Sequence, residues 1–492
     1  MNRLPYKYIV GIIFVFGMFM ELLDMTITNV ALPTLSEEFD AGTSSIQWVV
    51  TGYLLGLAVF IPFSGWIGDR WGTKKTFMLA LTVFTLASLA CAAAWSIESL
   101  IFFRVVQGVG GGMLVPVGTA MLYRAFPPDE RAQGAAIFSI PIAVAPASGP
   151  VLGGYLVEYW SWPWIFLINI PIGIAALAMA FFFLKEEKQE SPGRLDVPGF
   201  VLSAAGLGSL LYALSRAGDN GWTDSQVLLF GSLGVLMIAS FCITELRTRE
   251  PMIDIRLFKN ALFRAGNTVQ FVAFASFAGA LFLLPLLLQA ERGLGALESG
   301  LVTFPQAIGV GMTIPIAGRV YGHIGPRRML IVGMTMVSLT TLAFAFVEFD
   351  TSLWWIRGLM WLRGVAFAIT MVPMQTATFA TISLRDTGRA SALFNTGRQV
   401  SASFGVALLA TVLTDRLAFH GAALGPDGAL PSASLDAFQE AFIVATVLGL
   451  IGIVAALMVS DKAAAPSMRR AQKDDDTVLK GEPEPMPVGG AK

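Results

Sequence analysis

The sequence predicts an all-α fold that crosses a membrane about fourteen times, on three observations: composition, the length of its apolar runs, and the placement of cations between them. Of 492 residues, 55% are hydrophobic and only 14% charged, and the mean hydropathy is +0.67. A water-soluble chain carries roughly a quarter charged residues, so most of this surface must face lipid. A net charge of -1, with no basic stripe interleaved with aromatics, argues against a nucleic-acid partner. Cys91 and Cys242 lie in apolar runs as soft fillers, and His323 and His420 lie far apart in sequence. No metal or other cofactor is expected.

The apolar runs each approach the ~20 residues needed to cross a ~30 Å hydrocarbon core. In order they are 8–30, 46–67, 76–94, 100–122, 135–157, 164–184, 200–214, 227–243, 267–288, 301–320, 329–346, 354–374, 392–413 and 437–459. The first is too long and too acidic for a cleaved signal peptide and is expected to remain as a span. A longer loop is expected over 424–434, before the last span.

Every second connection is basic. One face receives Arg3 and Lys7, then Arg70, Lys74 and Lys75, Arg124 and Arg131, Lys185, Lys188 and Arg194, Arg247 through Arg264, Arg327 and Arg328, Arg385 and Arg389, and lastly Lys462, Arg469 and Arg470. The alternate connections hold Glu37, Glu38, Asp40, Glu98, Asp219, Asp224, Glu291, Glu298, Glu348 and Asp350 with few cations. Short cytoplasmic loops collect positive charge, so both termini are expected in the cytoplasm, with an even span count and a plasma (inner) membrane location.

An internal repeat sets the domain organisation. Gly65-Trp66-Ile67-Gly68-Asp69-Arg70-Trp71-Gly72-Thr73-Lys74-Lys75 follows span two, and Gly318-Arg319-Val320-Tyr321-Gly322-His323-Ile324-Gly325-Pro326-Arg327-Arg328 follows span ten, with glycines and paired cations in register. The second half then begins at span nine, and spans seven and eight are an insertion. The expected division is a six-helix half over 1–190, two peripheral inserted helices over 191–250, a second six-helix half over 251–462 and a disordered cytoplasmic tail over 463–492.

Several segments together resemble the major facilitator superfamily, and within it the fourteen-span drug:proton antiporters of the EmrB/QacA type. They are Leu23-Asp24-Met25-Thr26 with Asn29, Ala31, Leu32 and Pro33; the loop from Gly65 to Lys75; Arg104 with Gln107, Gly108, Gly110 and Gly112; Gly149-Pro150 with Gly153-Gly154; Pro251 with Leu257-Phe258; and Gly388, Ala390, Ser391, Asn395, Arg398 and Gln399. The resemblance covers the chain up to its tail. It implies alternating access between duplicated halves, a proton-coupled role for Arg104, and antiport for the glycine-proline segment of span five. There Ala145 stands where the family has another glycine. For a Gram-negative source it also implies a membrane-fusion protein and an outer-membrane channel as partners.

The residues carry physical readings of their own. Gly65, Asp69, Arg70, Gly72 and Lys74 read as a gate, in which Asp69 at a helix end can pair with a cation and bias one conformation. The second copy has Gly322 in place of the aspartate. Gly149, Gly153 and Gly154 offer a surface for close helix approach, and Pro150 should kink span five.

Ionisable groups inside spans are the strongest functional flags, since hydrocarbon tolerates them only beside water or a partner. Glu21 and Asp24 are three apart with Thr28 a turn further, so all three are expected on one cavity-lining face. Two such carboxylates repel when both are ionised, so one should hold a proton. With Arg104 they form the expected proton-coupling set, Asp24 titrating and Glu21 setting affinity. Gln107, Asn267, Gln270, Asn395, Arg398 and Gln399 are the expected polar fixtures of the substrate cavity.

No phosphate-binding G-x-x-x-x-G-K-[ST] loop is present, so an ion or substrate gradient must drive transport. The expected function is proton-coupled export of hydrophobic, amphiphilic or cationic small molecules. A native lipid, siderophore or metabolite on the same scaffold is the alternative. A receptor or enzyme would need a catalytic cluster, and no Ser/His/Asp arrangement or paired intramembrane histidine is present.

Overall fold

The computed structural model describes residues 5–41, 43–127, 130–188, 195–248, 251, 253–421 and 431–468. Among them, 13 helices are long and apolar enough to cross a membrane. Another of 29 residues, Arg131–Tyr159, packs along the first.

The first seven helices are α1 (Tyr6–Glu38), α2 (Thr43–Trp71), α3 (Thr73–Ala92), α4 (Ile97–Ala125), α5 (Arg131–Tyr159), α6 (Trp164–Leu167) and α7 (Asn169–Phe183). The last two form one span broken at Ile168, because Pro171 cannot donate to the carbonyl four residues back. Two further helices follow, α8 (Val197–Asn220) and α9 (Ser225–Arg247), whose first turns are capped by Asp196 and Asp224. The remainder comprises α10 (Ala261–Leu286), α11 (Ala296–Thr303), α12 (Pro305–Ile324), α13 (Pro326–Phe344), α14 (Leu353–Phe379), α15 (Thr387–Phe419), α16 (Pro431–Ala456) and the short α17 (Asp461–Ala464). Span ten is likewise broken, into α11 and α12, where Pro305 opens the second piece.

Packing repeats along the chain. α1 lies on α5, α2 on α4, α3 on α4 and on α7; correspondingly α10 lies on α15, α12 on α14, α13 on α14 and on α16. The two sets meet where α5 packs on α12 and α14, and where α15 packs on α2 and α4. α8 lies against α2 and α15, and α9 lies mainly on α8 with much of its apolar surface exposed.

At the end bearing the basic connections the sets are joined by an apolar plug that includes Phe14, Tyr123, Phe126, Phe263, Phe367, Phe379 and Phe394. Tyr123 stacks on Phe379 with centroids 4.5 Å apart at 11° and donates 3.1 Å to Gln375 Oε1. Arg131 donates to the Phe379 carbonyl, and Ser391 Oγ donates 2.7 Å to the Pro116 carbonyl. This end of the seam is closed.

A matching pair of carboxylates seats the two basic turns. Gly72 (φ 102) and Gly325 (φ 86) adopt the left-handed conformation that favours glycine. Beside them Glu186 Oε1 accepts 3.1 Å from the Lys74 amide, and Asp461 Oδ1 accepts 2.9 Å from the Arg327 amide. The tail expected to be disordered from 463 is therefore structured as far as 468: Ala464 and Ser467 are buried, and Ser467 bonds Tyr321 at 2.8 Å. Residues 469–492 lie outside the described residues, as do 424–430 of the expected outward loop; its last positions already belong to α16.

Candidate functional site: a buried acid–guanidinium core beside a polar seam

Asp24 sits on α1 inside the first set of helices, wholly buried. Its Oδ2 accepts 2.5 Å from Arg104 Nη1, and its Oδ1 accepts 2.8 Å from Gln107 Nε2 and 2.8 Å from Asn169 Nδ2. Arg104 also donates 2.7 Å to Gln107 Oε1 and 3.1 Å to the Val49 carbonyl, and its guanidinium lies 4.3 Å from the Tyr53 ring centroid. Asn169 donates 3.1 Å to Ser88 Oγ, which donates 2.9 Å to the Phe166 carbonyl. A buried ion pair is tolerated when its remaining donors and acceptors are met, and here groups from α2, α4 and α7 meet them.

The shared cavity face expected for Glu21, Asp24 and Thr28 is divided. Residues three apart on a helix differ by about 60° in direction. Asp24 uses that difference to turn into the first set of helices. Thr28, also buried, donates 2.7 Å to the Asp24 carbonyl. Glu21 goes the other way. Its Oε2 and the nearby Tyr53 Oη have no hydrogen-bond partner. Gly111 of α4 makes room for both: a Cβ there would stand 3.0 Å from Tyr53 Oη and 3.5 Å from Glu21 Cγ.

Across the seam, Arg398 of α15 acts electrostatically on Glu21 and, less than Arg104, on Tyr53, and among the described residues it forms no ion pair with Glu21. Its Nε lacks an acceptor, as Gln270 Oε1 and Asn395 Oδ1 lack donors. Asn267 and Gln270 spend their amide nitrogens on the Phe263 and Phe394 carbonyls, at 2.8 Å each, and Asn395 spends its own on the Ser391 carbonyl at 2.9 Å. Asn267 Oδ1 and Gln270 Oε1 both stand 3.9 Å from the Cβ position of Gly397. Gln399 is half-buried nearby on α15.

At the closed end Asp69 Oδ1 accepts 2.8 Å from Arg124 Nη2. Gly65 packs on the Gly388 carbonyl, 3.2 Å from its Cβ position. Arg70 is exposed, and Lys74 instead caps the neighbouring span by donating 2.7 Å to the Phe181 carbonyl. In α5, Gly149 and Gly153 face α1, with Cβ positions 2.2 Å from Thr26 Oγ1 and 3.4 Å from Ile27 Cα, whereas Gly154 faces Leu297 of α11. The side chain of Pro150 lies outside the described residues. Asn169, Tyr53 and Ser88 were not singled out from sequence; a polar residue just ahead of the Pro171 break was the one available signal.

Duplicated helix sets around a polar midline, with no metal-binding group of three or more ligands among the described residues, define the class as membrane transporters. Residues 14–406 and 268–485 match the family model of the Major Facilitator Superfamily, and the chain belongs to that family. It is 35% identical over 431 residues to the MFS-type transporter YhcA of Bacillus subtilis, covering 87% of this chain and 81% of that one. It is 33% identical over 413 residues to the Multidrug export protein EmrB of Escherichia coli, covering 82% and 80%. The human organic anion transporter MFSD10 shares the fold, with TM-score 0.66 and 17% identity over 92% of this chain and 100% of that one. The chain is a multi-span transporter of small molecules and not an enzyme.

Proposed function

We propose that this chain exports hydrophobic or amphiphilic, often cationic, molecules in exchange for protons, by alternating access between the halves α1–α7 and α10–α16, with α8 and α9 as peripheral additions. The observation that carries the reading is the facing set of polar atoms without partners on the seam: Glu21 and Tyr53 on one side, Gln270, Asn395 and Arg398 on the other. Groups left unmet in a low-dielectric interior are met by water, a proton or a substrate in the working cycle.

In this reading Glu21, and not Asp24, takes up the coupling proton. Asp24 has three donors from three residues and no spare place for exchange in this conformation. It holds α1, α4 and α7 as one body. Glu21 has an oxygen to spare and a cation, Arg398, across the seam. A cationic substrate arriving beside ionised Glu21 replaces the proton there; reprotonation from the opposite side releases the substrate. The relatedness to EmrB supports export of drug-like compounds. The basic connections support a cytoplasmic position for the closed end and for both termini, in an inner membrane. In a Gram-negative envelope the exported molecule would pass to a membrane-fusion protein and outer-membrane channel.

The test is proton release from detergent-purified protein on addition of a lipophilic cation such as ethidium. Wild type and Asp24→Asn should release protons and Glu21→Gln should not. Full release from Glu21→Gln would return the role to Asp24, and no gradient-driven flux of any compound in vesicles would remove the exporter reading altogether.

A further inference from the structure

The two halves can be aligned residue by residue from their closest contacts. Gly72 and Gly325 open α3 and α13 with the same left-handed turn. A Cβ on Gly173 of α7 would strike Thr85 Oγ1 at 2.1 Å, and one on Gly449 of α16 would strike Ser338 Oγ at 2.4 Å. A Cβ on Gly108 of α4 would strike the Tyr53 carbonyl at 2.2 Å, and one on Gly364 of α14 the Gln306 carbonyl at 2.1 Å. Counting from these anchors, Ser88 corresponds to Thr341, Asn169 to Ala445, Gln107 to Arg363 and Arg104 to Met360. The contact of Ser276 Oγ with the Ala445 carbonyl, 3.3 Å, puts Ser276 in the place of Asp24.

The first half thus encloses a carboxylate with its guanidinium, while the second encloses a guanidinium alone. Arg363 is 1% exposed. Its Nη2 makes long contacts of 3.5 and 3.3 Å to the Ser276 and Phe277 carbonyls, and its Nε and Nη1 have no acceptor. Among the described residues no carboxylate pairs with it. Thr341, wholly buried in the place of Ser88, has a hydroxyl without a partner. A guanidinium does not give up its proton, so the charge cannot be removed by titration. The residues that would crowd this site, Asp24 and Asn169 in the first half, are the smaller Ser276 and Ala445 here.

We infer that Arg363 holds a small monoanion, a halide or a carboxylate group, where the Asp24 carboxylate sits in the other half. Nε and Nη1 belong to the two different donor edges of the guanidinium, each completed by Nη2 with its long carbonyl contacts, so an oxygen of a carboxylate or a halide can be held at either edge. Transport or stability then depends on the anion present, independently of the proton at Glu21.

The experiment is thermal unfolding of the purified full-length chain in chloride, formate or gluconate at equal ionic strength, gluconate being too bulky for the site. Wild type should rise in Tm saturably with chloride or formate, with an apparent Kd raised at least tenfold in Arg363→Gln and Arg363→Met. Ser276→Asp keeps Arg363 but supplies the carboxylate, and it should abolish the response while matching the Tm of the anion-saturated wild type. A response to chloride alone marks an inorganic ion, and a stronger response to formate marks the acid group of a substrate. Equal Tm in all three salts, or an undiminished response in Ser276→Asp, overturns the inference even if the Arg363 variants do not fold.

Discussion

Gly388, at the start of α15, presses against the carboxylate of Asp69 at the end of α2, so that a Cβ on it would lie 3.2 Å from Asp69 Oδ1. That carboxylate is already paired with Arg124 at 2.8 Å, so the ion pair of one half is roofed by the backbone of the other.

Asp69→Asn should therefore weaken closure without unfolding the chain. A hydrogen bond to a charged partner contributes about 1.5–3 kcal/mol, and about 1.4 kcal/mol is a factor of ten in an equilibrium. Turnover in vesicles should fall roughly tenfold with the melting profile little changed. Wild-type turnover in the mutant would reduce Asp69 to a topological role.

Asn169→Ala removes one of the three donors to Asp24 and the donor to Ser88 Oγ, which keeps its bond to the Phe166 carbonyl. Stability should drop by about 1–3 kcal/mol, the cost of leaving buried polar groups unmet. Proton release on substrate addition should persist. Loss of release together with unchanged stability would mean that the Asp24 network, and not Glu21, handles the proton.

Tyr123 offers a graded pair. Tyr123→Phe loses the bond to Gln375 but keeps the stack on Phe379, and should cost about 1 kcal/mol. Tyr123→Ala empties the plug, and removing a buried ring costs about 3–5 kcal/mol. Thiol labelling of Ser391→Cys, in a chain lacking Cys242, should accelerate strongly with the second change and weakly with the first. Equal labelling in all backgrounds would show that this plug does not close the seam.

Gly108→Ala is expected to fail by overpacking. The new methyl would stand 2.2 Å from the Tyr53 carbonyl, a backbone atom that cannot swing away. The penalty should reach or exceed about 1–3 kcal/mol, seen as lost monodisperse protein in size-exclusion chromatography. A normal yield and Tm would show that α2 and α4 can slide apart.

Much of this was readable beforehand, for physical reasons specific to each residue. An aspartate and an arginine inside apolar runs demand partners, so Asp24 and Arg104 stood out, and Gln107 followed one turn along. Asn169 did not, because an amide beside a proline also suits a turn. Spacing placed Glu21 and Asp24 on one face, yet the 60° between them, about one sixth of a turn, is enough to separate a residue locked in the bundle from one on the seam. Arg363, like Arg104, lies inside an apolar run, but its lack of a carboxylate depends on Ser276, on a helix far earlier in the chain, and no local pattern carries that.

The plug around Phe379 has a thermal consequence. Opening that end would expose several aromatic rings to water, and hydration of apolar surface carries a positive heat capacity of about 0.45 cal/K/mol per Å². The balance between the two faces of this carrier should then curve with temperature instead of following a straight van't Hoff line. Cooling would weaken the hydrophobic seal, and the same protein would rest in different proportions of its states in cold and warm membranes.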